Sequence, residues 1–230
     1  MIDFHSHVLP GVDDGSPDVE TSLAMLRKEA EQGVKTVVAT PHFYADEDSP
    51  DAFLTRRQEA LQKLQEAAEP GLPEILPGAE VAFFRGMSHC EAMWDLRIAD
   101  TSCILIEMPE MPWAPQVMDE IEKLANRLNL TPILAHIDRY LPRIGTRKFL
   151  DRLLELPVLL QVNTSFFLDK KVGKKALRLL QDGLFHFIGT DCHNLQDRQP
   201  DMGKVLEKLD ENDIAHIRYH QQQVLSENEM

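Results

Sequence analysis

The chain has 230 residues, 43% of them hydrophobic and 27% charged, which is enough apolar material for a sizeable core and excludes a disordered class. A formal net charge of −14 excludes a broad basic surface for nucleic acid, although carboxylates that hold divalent metals can still present a locally positive site to an anion. No run approaches the roughly 20 apolar residues of a membrane helix, and no basic segment followed by an apolar one marks a signal peptide.

The length suits one domain over residues 1–230, without repeats or long linkers. Cys90, Cys103 and Cys192 are few, odd in number and not paired by spacing, which suits a reducing cytoplasm and packing roles for Cys90 and Cys103. Short apolar runs predict strands at 2–7, 35–40, 75–82, 103–108, 131–137, 157–163 and 185–190. After the first run, Ser16-Pro17-Asp18 reads as an N-cap, a first-turn proline and an early acid. Val19, Leu23, Leu26 and Ala30 then mark one helical face, and Gly33 stops it. Ser49-Pro50-Asp51 starts a second helix with Leu54, Leu61, Leu64 and Ala68 on one face. The link 83–102 predicts a short helix, and Val117, Ile121, Leu124 and Leu128 form another stripe. Further helices are expected near 146–155, 172–182, 201–211 and 213–225.

Alternating strands and helices imply a parallel sheet with helical crossovers. Most strand runs end in a potential metal ligand. The first carries His5 and His7, the second leads to His42, the third reaches Glu80 and the fourth ends at Glu107. The fifth ends at His136, the seventh at Asp191 and His193, and the sixth at the weaker candidate Asn163. An open sheet spreads such ends along a line, whereas a barrel gathers them at one mouth, where barrel enzymes place their chemistry. The expected fold is therefore a distorted (β/α)7 TIM-like barrel.

His5 and His7 are two apart, so on a regular strand both face one way, and Asp3 shares that face by parity in a supporting role. Alone, His-x-His is ordinary, and Asp13-Asp14-Gly15 is more often a turn. Recurrence at many strand ends changes the reading, because burying so many acids without cations is costly.

Several stretches carry a family resemblance. They are Asp3-Phe4-His5-Ser6-His7, Leu9-Pro10-Gly11-Val12-Asp13-Asp14-Gly15, Ala39-Thr40-Pro41-His42, Pro77-Gly78-Ala79-Glu80, Leu134-Ala135-His136-Ile137-Asp138-Arg139-Tyr140 and Gly189-Thr190-Asp191-Cys192-His193-Asn194. In this order they resemble the polymerase-and-histidinol-phosphatase (PHP) superfamily. Within it they are most similar to the bacterial manganese-dependent protein-tyrosine phosphatases of capsule and exopolysaccharide operons. The resemblance implies a distorted seven-stranded barrel holding three divalent ions, Mn2+ or alternatively Fe or Zn. It implies the ligands His5, His7, Asp14, His42, Glu80, Glu107, His136, Asp191 and His193, with Glu80 bridging. It also implies hydrolysis of phosphotyrosine by a metal-activated hydroxide, with a phosphotyrosine protein, such as a bacterial tyrosine kinase, as partner. Thr190 stands where the family often has serine.

Three divalent ions, the four ligand carboxylates and one hydroxide would leave the mouth at about +1, so phosphate can be attracted to an acidic chain. Arg139 and Arg198 are the candidates to clamp phosphoryl oxygens, since guanidinium matches phosphate bidentately. As alternatives, Arg139 would pair with Asp138 and Arg198 would be a solvated loop residue. Phe43, Tyr44, Tyr140 and the Met108–Trp113 stretch are candidates for a rim that accepts an aromatic ring. His89, His186, His216 and His220 lack a strand-end context and stay outside the site. Competing readings are a phosphatase of histidinol phosphate or a nucleotide, a noncatalytic metal-binding module, and an amidohydrolase-like hydrolase.

Overall fold

The computed structural model describes residues 1–110, 112–142 and 154–226. The apolar runs become short strands flanked by helices: β1 (Ile2–Ser6), β2 (Thr36–Ala39), β3 (His42–Phe43), β4 (Glu74–Pro77), β5 (Glu80–Ala82), β6 (Cys103–Glu107), β7 (Thr131–Leu134), β8 (Leu159–Asn163) and β9 (Phe187–Gly189). The helices are α1 (Val19–Glu31), α2 (Pro50–Glu66), α3 (Pro115–Leu128), α4 (Thr164–Leu168), α5 (Gly173–Gln181), α6 (Met202–Leu206) and α7 (Glu211–Ser226).

Strand pairings are parallel, in the orders β1-β2-β4 and β3-β5-β6-β7-β8-β9. The run 75–82, expected as one strand, divides into β4 and β5, and the run 35–40 stops before the separate β3. β2 stops short of Pro41, which has no N–H to donate, and Pro77 is the last residue of β4, paired with Ala39. Backbone bonds continue across the bends: Gly78 N–H donates to Ala39 O at 2.8 Å and Glu80 N–H to Pro41 O at 3.0 Å. At the far edges, Asp191 N–H donates to His5 O at 2.8 Å and His7 N–H to Cys192 O at 2.9 Å. The outcome is an α/β fold whose parallel sheet curls on itself.

Phe4, Val38, Leu105, Ile133, Ala135 and Phe187 fill the inside of the curl, with the Phe4 and Phe187 rings stacked at 4.1 Å. A larger apolar layer, including Met25, Leu26, Leu64, Ile121, Leu124 and Leu180, packs helices against the sheet. Fully burying each such side chain contributes about 1.5–3 kcal/mol.

Several helix boundaries differ from expectation for local reasons. Asp18, not Ser16, caps α1 and accepts Thr21 N–H at 2.8 Å, while Ser16 is buried and donates to Asp18 O. The buried face of α1 is Ser22, Met25, Leu26 and Glu29, one step round from the expected stripe. Ser49 caps α2 as its spacing predicts. The run 201–211 yields only α6, because Asp210 accepts Asn212 and Asp213 N–H, both at 2.9 Å, and so starts α7. The link 83–102 holds two 3-10 turns, Met87–His89 and Glu91–Leu96, and α4 is an unexpected short helix. The helix expected at 146–155 falls mostly outside the described residues. Cys103 and Cys192 are buried and Cys90 is half-buried. Among the described residues, no helix is long and apolar enough to cross a membrane.

Candidate metal centre

β1 delivers His5 and His7 into the mouth of the curl through an irregular register. Asp3 lies opposite Val37 and Ser6 opposite Ala39, so β1 holds one extra residue. Parity is lost there. Asp3 points away to Thr190, accepting its N–H at 2.9 Å and its hydroxyl at 2.5 Å, and braces the residue before Asp191. Beside it, burial and then the Asp3 charge push the Glu29 carboxyl up to about 10, so Glu29 is a neutral acid at pH 7. Two glycines leave room for the histidines. A Cβ at Gly189 would lie 2.5 Å from His5 Cβ, and one at Gly15 would lie 2.4 Å from His7 O.

The nine expected ligands all enter one connected cluster. His7, Asp14, His42 and His193 form one group whose donor atoms lie within 4.8 Å of one another. His5, His7 and Glu80 form a second, and His42, Glu80 and Glu107 a third. The groups overlap at His7, His42 and Glu80. His136 Nε2 is 2.7 Å from Glu80 Oε1 and 3.6 Å from Glu107 Oε1. Asp191 Oδ1 lies 3.4 Å from His7 Nε2 and 3.6 Å from His193 Nδ1. His136 and Asp191 have φ of +33° and +53°, a left-handed backbone that costs roughly 1–2 kcal/mol per non-glycine residue and often marks functional sites.

Hydrogen bonds set the imidazole tautomers. His7 Nδ1 donates to Asp13 Oδ2 at 2.6 Å, and His5 Nδ1 contacts Gln161 Oε1 at 3.3 Å. The Nε2 lone pairs of both rings therefore face inward, 3.1 Å apart, and His5 Nε2 is 3.0 Å from Glu80 Oε2. Three acceptors thus converge where a cation would satisfy them. The buried His42 Nδ1, His136 Nδ1 and His193 Nε2 atoms have no hydrogen-bond partner among the described residues. His42 Nδ1 lies 3.1 Å from Glu80 Oε2 without a bond's alignment. Imidazole and carboxylate donors suit Mn, Fe or Zn, so these residues fit divalent metal.

The electrostatics divide the histidines into two sets. Burial, with repulsion from neighbouring charges, lowers the pKa of His42, His136 and His193, the last to about 4, so these rings are neutral donors at pH 7. Burial opposes protonation of His7, yet bonds to Asp13, Asp191 and Glu80 outweigh it and hold its pKa well above the usual range, so without metal a proton occupies its inward Nε2 and a divalent cation would displace it. Burial likewise opposes charge on Glu80, but His5, His136 and His7 keep it ionised.

Residues that the strand-end pattern passes over support the ligands. Asp13, the neighbour of Asp14, holds His7 and also accepts His42 N–H at 2.9 Å. Despite burial, His7 draws the Asp13 pKa down to about 2. Gln161 Oε1 accepts His136 N–H at 2.6 Å, and Asn163 Nδ2 donates to Asp191 Oδ2 at 2.8 Å. Gln161 and Asn163 are two apart in the buried β8 and so share one strand face, and the strand-end pattern marks only Asn163. Cys192 turns away, its Sγ 3.3 Å from Ser6 Oγ.

Both candidate arginines meet at Asp191. Arg198 donates to Oδ1 at 2.7 Å and Arg139 to Oδ2, while Arg139 also lies 3.9 Å from Glu107. Asp138, the alternative partner for Arg139, instead accepts Asn163 N–H at 2.9 Å, and burial raises its pKa to about 6. The two arginine side chains are 45% and 38% exposed, so they keep accessible surface beside Asp191.

The chain is 30% identical over 238 residues to the tyrosine-protein phosphatase YwqE of Bacillus subtilis, covering 99% of this chain and 89% of that protein. It is 30% identical over 217 residues to the tyrosine-protein phosphatase CpsB of Streptococcus pneumoniae, covering 88% and 86%. A crystal structure from work on YwqE from Bacillus subtilis and CpsB from Streptococcus pneumoniae, described as unique metal-dependent tyrosine phosphatases, superposes with a TM-score of 0.80 at 27% identity, covering 96% of this chain and 93% of that one. The family described as capsular polysaccharide synthesis, CpsB/CapC, matches residues 1–229, and the chain belongs to it.

Proposed function

We propose that the protein is a metal-dependent protein-tyrosine phosphatase acting in capsular or exopolysaccharide synthesis. One observation carries this reading: three overlapping donor groups share His7, His42 and Glu80 beside two half-exposed arginines, in a chain similar along its length to named tyrosine phosphatases.

Residues 1–230 act as one domain, a distorted (β/α)7 barrel in which β2 with β3, and β4 with β5, each count as one bent strand. The backbone bonds across Pro41 and Pro77 support that count. His5, His7, Asp14, His42, Glu80, Glu107, His136, Asp191 and His193 hold three divalent ions, Mn2+ first. When bound, such ions activate water and neutralise developing charge on a phosphoryl group. Arg139 and Arg198 bind and orient the phosphoryl oxygens through N–H groups not engaged by Asp191. Asp13 keeps His7 Nε2 turned inward, and Gln161 does the same for His5. A phosphotyrosine protein, such as a tyrosine kinase, is the substrate, and the working compartment is the cytoplasm.

The test is turnover by Mn-loaded protein of a phosphotyrosine peptide, histidinol phosphate and a nucleotide monophosphate. Preferred hydrolysis of the peptide is expected. Efficient histidinol phosphate turnover with no action on the peptide would overturn the substrate assignment, and no turnover at all would leave a metal-binding module.

A further inference from the structure

The sequence names several aromatic and sulfur-bearing residues near the mouth, and the fold sorts them. Phe43 is buried and meets Phe53 edge-on at 5.2 Å. Met108 is buried, and the buried Tyr140 donates its hydroxyl to Met108 O at 2.5 Å. Trp113 is buried against Tyr140 and donates Nε1–H to Pro109 O at 2.7 Å. None of these rings is free to meet a ligand.

Tyr44 differs. Among the described residues the exposed large hydrophobic side chains are Tyr44, Leu154 and Tyr219, and only Tyr44 adjoins the donor cluster. Its ring stacks on His42 with centroids 5.3 Å apart and planes 24° apart. It walls a cavity of about 370 Å3 whose other walls include the charged Asp13, Asp14, Glu47, Asp48 and Arg56 beside His42. That volume lies in the roughly 300–1,000 Å3 range of small-ligand sites. The cavity shares Asp14 and His42 with one donor group, so it adjoins the proposed metal centre.

We propose that this cavity is the seat for the aromatic ring of the phosphoester, and that Tyr44 is the residue that favours aryl over alkyl phosphates. The inference rests on the phosphatase reading and adds the residue and the cavity that recognise the ring. An ester held by its phosphoryl group must carry its organic part out through the mouth. A flat ring there gains offset stacking or edge contact with Tyr44, held in place by its stack on His42. A serine phosphate has no ring to place. Away from the proposed metal ligands the wall carries Glu47, Asp48 and Arg56, the last paired with Asp48, so one acid stays uncompensated and the expected occupant is a neutral aryl ring.

The experiment uses the full Mn-loaded chain and reads ring binding separately from turnover. Calorimetry compares phenylphosphonate with methylphosphonate, two non-hydrolysable monoester mimics that differ in the ring. The wild-type protein is expected to bind the phenyl compound more tightly. Tyr44→Ala should remove about fivefold of that preference while inorganic phosphate binds within about twofold of wild type. Tyr44→Phe should keep the preference, and Tyr219→Ala should leave it unchanged. Parallel kinetics on a phosphotyrosine peptide should show the Tyr44→Ala loss mainly in KM. Equal binding of the two phosphonates by the wild type, or an unchanged preference in Tyr44→Ala, would overturn the subsite. Ring-selective binding without hydrolysis of any phosphoester would instead overturn the phosphatase reading and leave the ring seat standing.

Discussion

Asp13 Oδ2 accepts both His7 Nδ1–H at 2.6 Å and His42 N–H at 2.9 Å, so one carboxylate oxygen orients two members of the metal cluster. Neither bond puts Asp13 among the expected ligands. Its work is to hold the His7 ring with Nε2 inward and to tie the loop after β1 to β3. Asp13→Asn keeps the shape but removes the charge that favours this arrangement. Loss of a carboxylate behind a metal-bound imidazole typically costs about 10–100-fold in metal affinity or activity. Mn titration of the variant beside its kinetics checks this; wild-type Mn affinity would remove the orienting role.

The ligands and the arginines should separate in a paired measurement. His7→Ala and Asp191→Ala are expected to lose metal and activity together. Arg139→Ala and Arg198→Ala should keep most of their metal yet lose phosphoester turnover, by about 100-fold for Arg139→Ala. Metal content by elemental analysis, taken on the samples used for kinetics, distinguishes the two outcomes. Full activity in Arg139→Ala would end its assignment to the phosphoryl group.

Gly189→Ala probes the close passage of β9 over β1. The added methyl would lie 2.5 Å from His5 Cβ and 2.7 Å from Gln161 Nε2, and neither can retreat without shifting the cluster. Overpacking of this kind costs about 1–3 kcal/mol. A lower melting temperature and reduced Mn occupancy are expected together, whereas an unchanged melting temperature would show that β1 can give way.

His186 should make stability depend on pH well away from the mouth. Its Nδ1 accepts Leu160 N–H at 3.0 Å, and its ring faces His220, which in turn meets His216. Burial, then the charges of His220 and His216, hold its pKa at about 4. The unfolded chain, with an imidazole pKa of about 6.5, binds more protons between these values. The contribution is therefore complete above about pH 6.5 and is lost as pH falls toward 4. Denaturant titrations of the wild type and His186→Gln at several pH values should show a shallower fall in the variant, and parallel curves would refute this.

Removing metal tests the cluster as a whole. Without cations, Asp14, Glu80, Glu107 and Asp191 share one mouth with only protons and arginines to compensate. Chelation is expected to abolish phosphoester turnover and lower the melting temperature, and Mn should restore both. A melting temperature unmoved by either step would indicate that the groups do not hold metal in the folded protein.

Much was legible in the residues alone. Short β-branched runs between amphipathic helices determine a parallel α/β sheet, because only such segments bury both strand faces. Ligand-type side chains at the run ends, His5, His7, His42, Glu80, Glu107, His136, Asp191 and His193, announce a shared mouth once a curled sheet is assumed. Only the tertiary structure decided what depends on register and on distant neighbours. The extra residue in β1 turns Asp3 away from His5 and His7, against a parity that a regular strand would keep. The run 75–82 looks continuous in sequence but divides after Pro77, because Glu80 pairs with His42 of β3 and not with β2. Asp13 and Gln161 act through partners 29 and 25 residues away, His42 and His136, and no local pattern encodes that separation. Which aromatic residue faces the mouth was likewise settled by packing, since Phe43 and Tyr44 are adjacent in the chain but only Tyr44 is left without a buried seat.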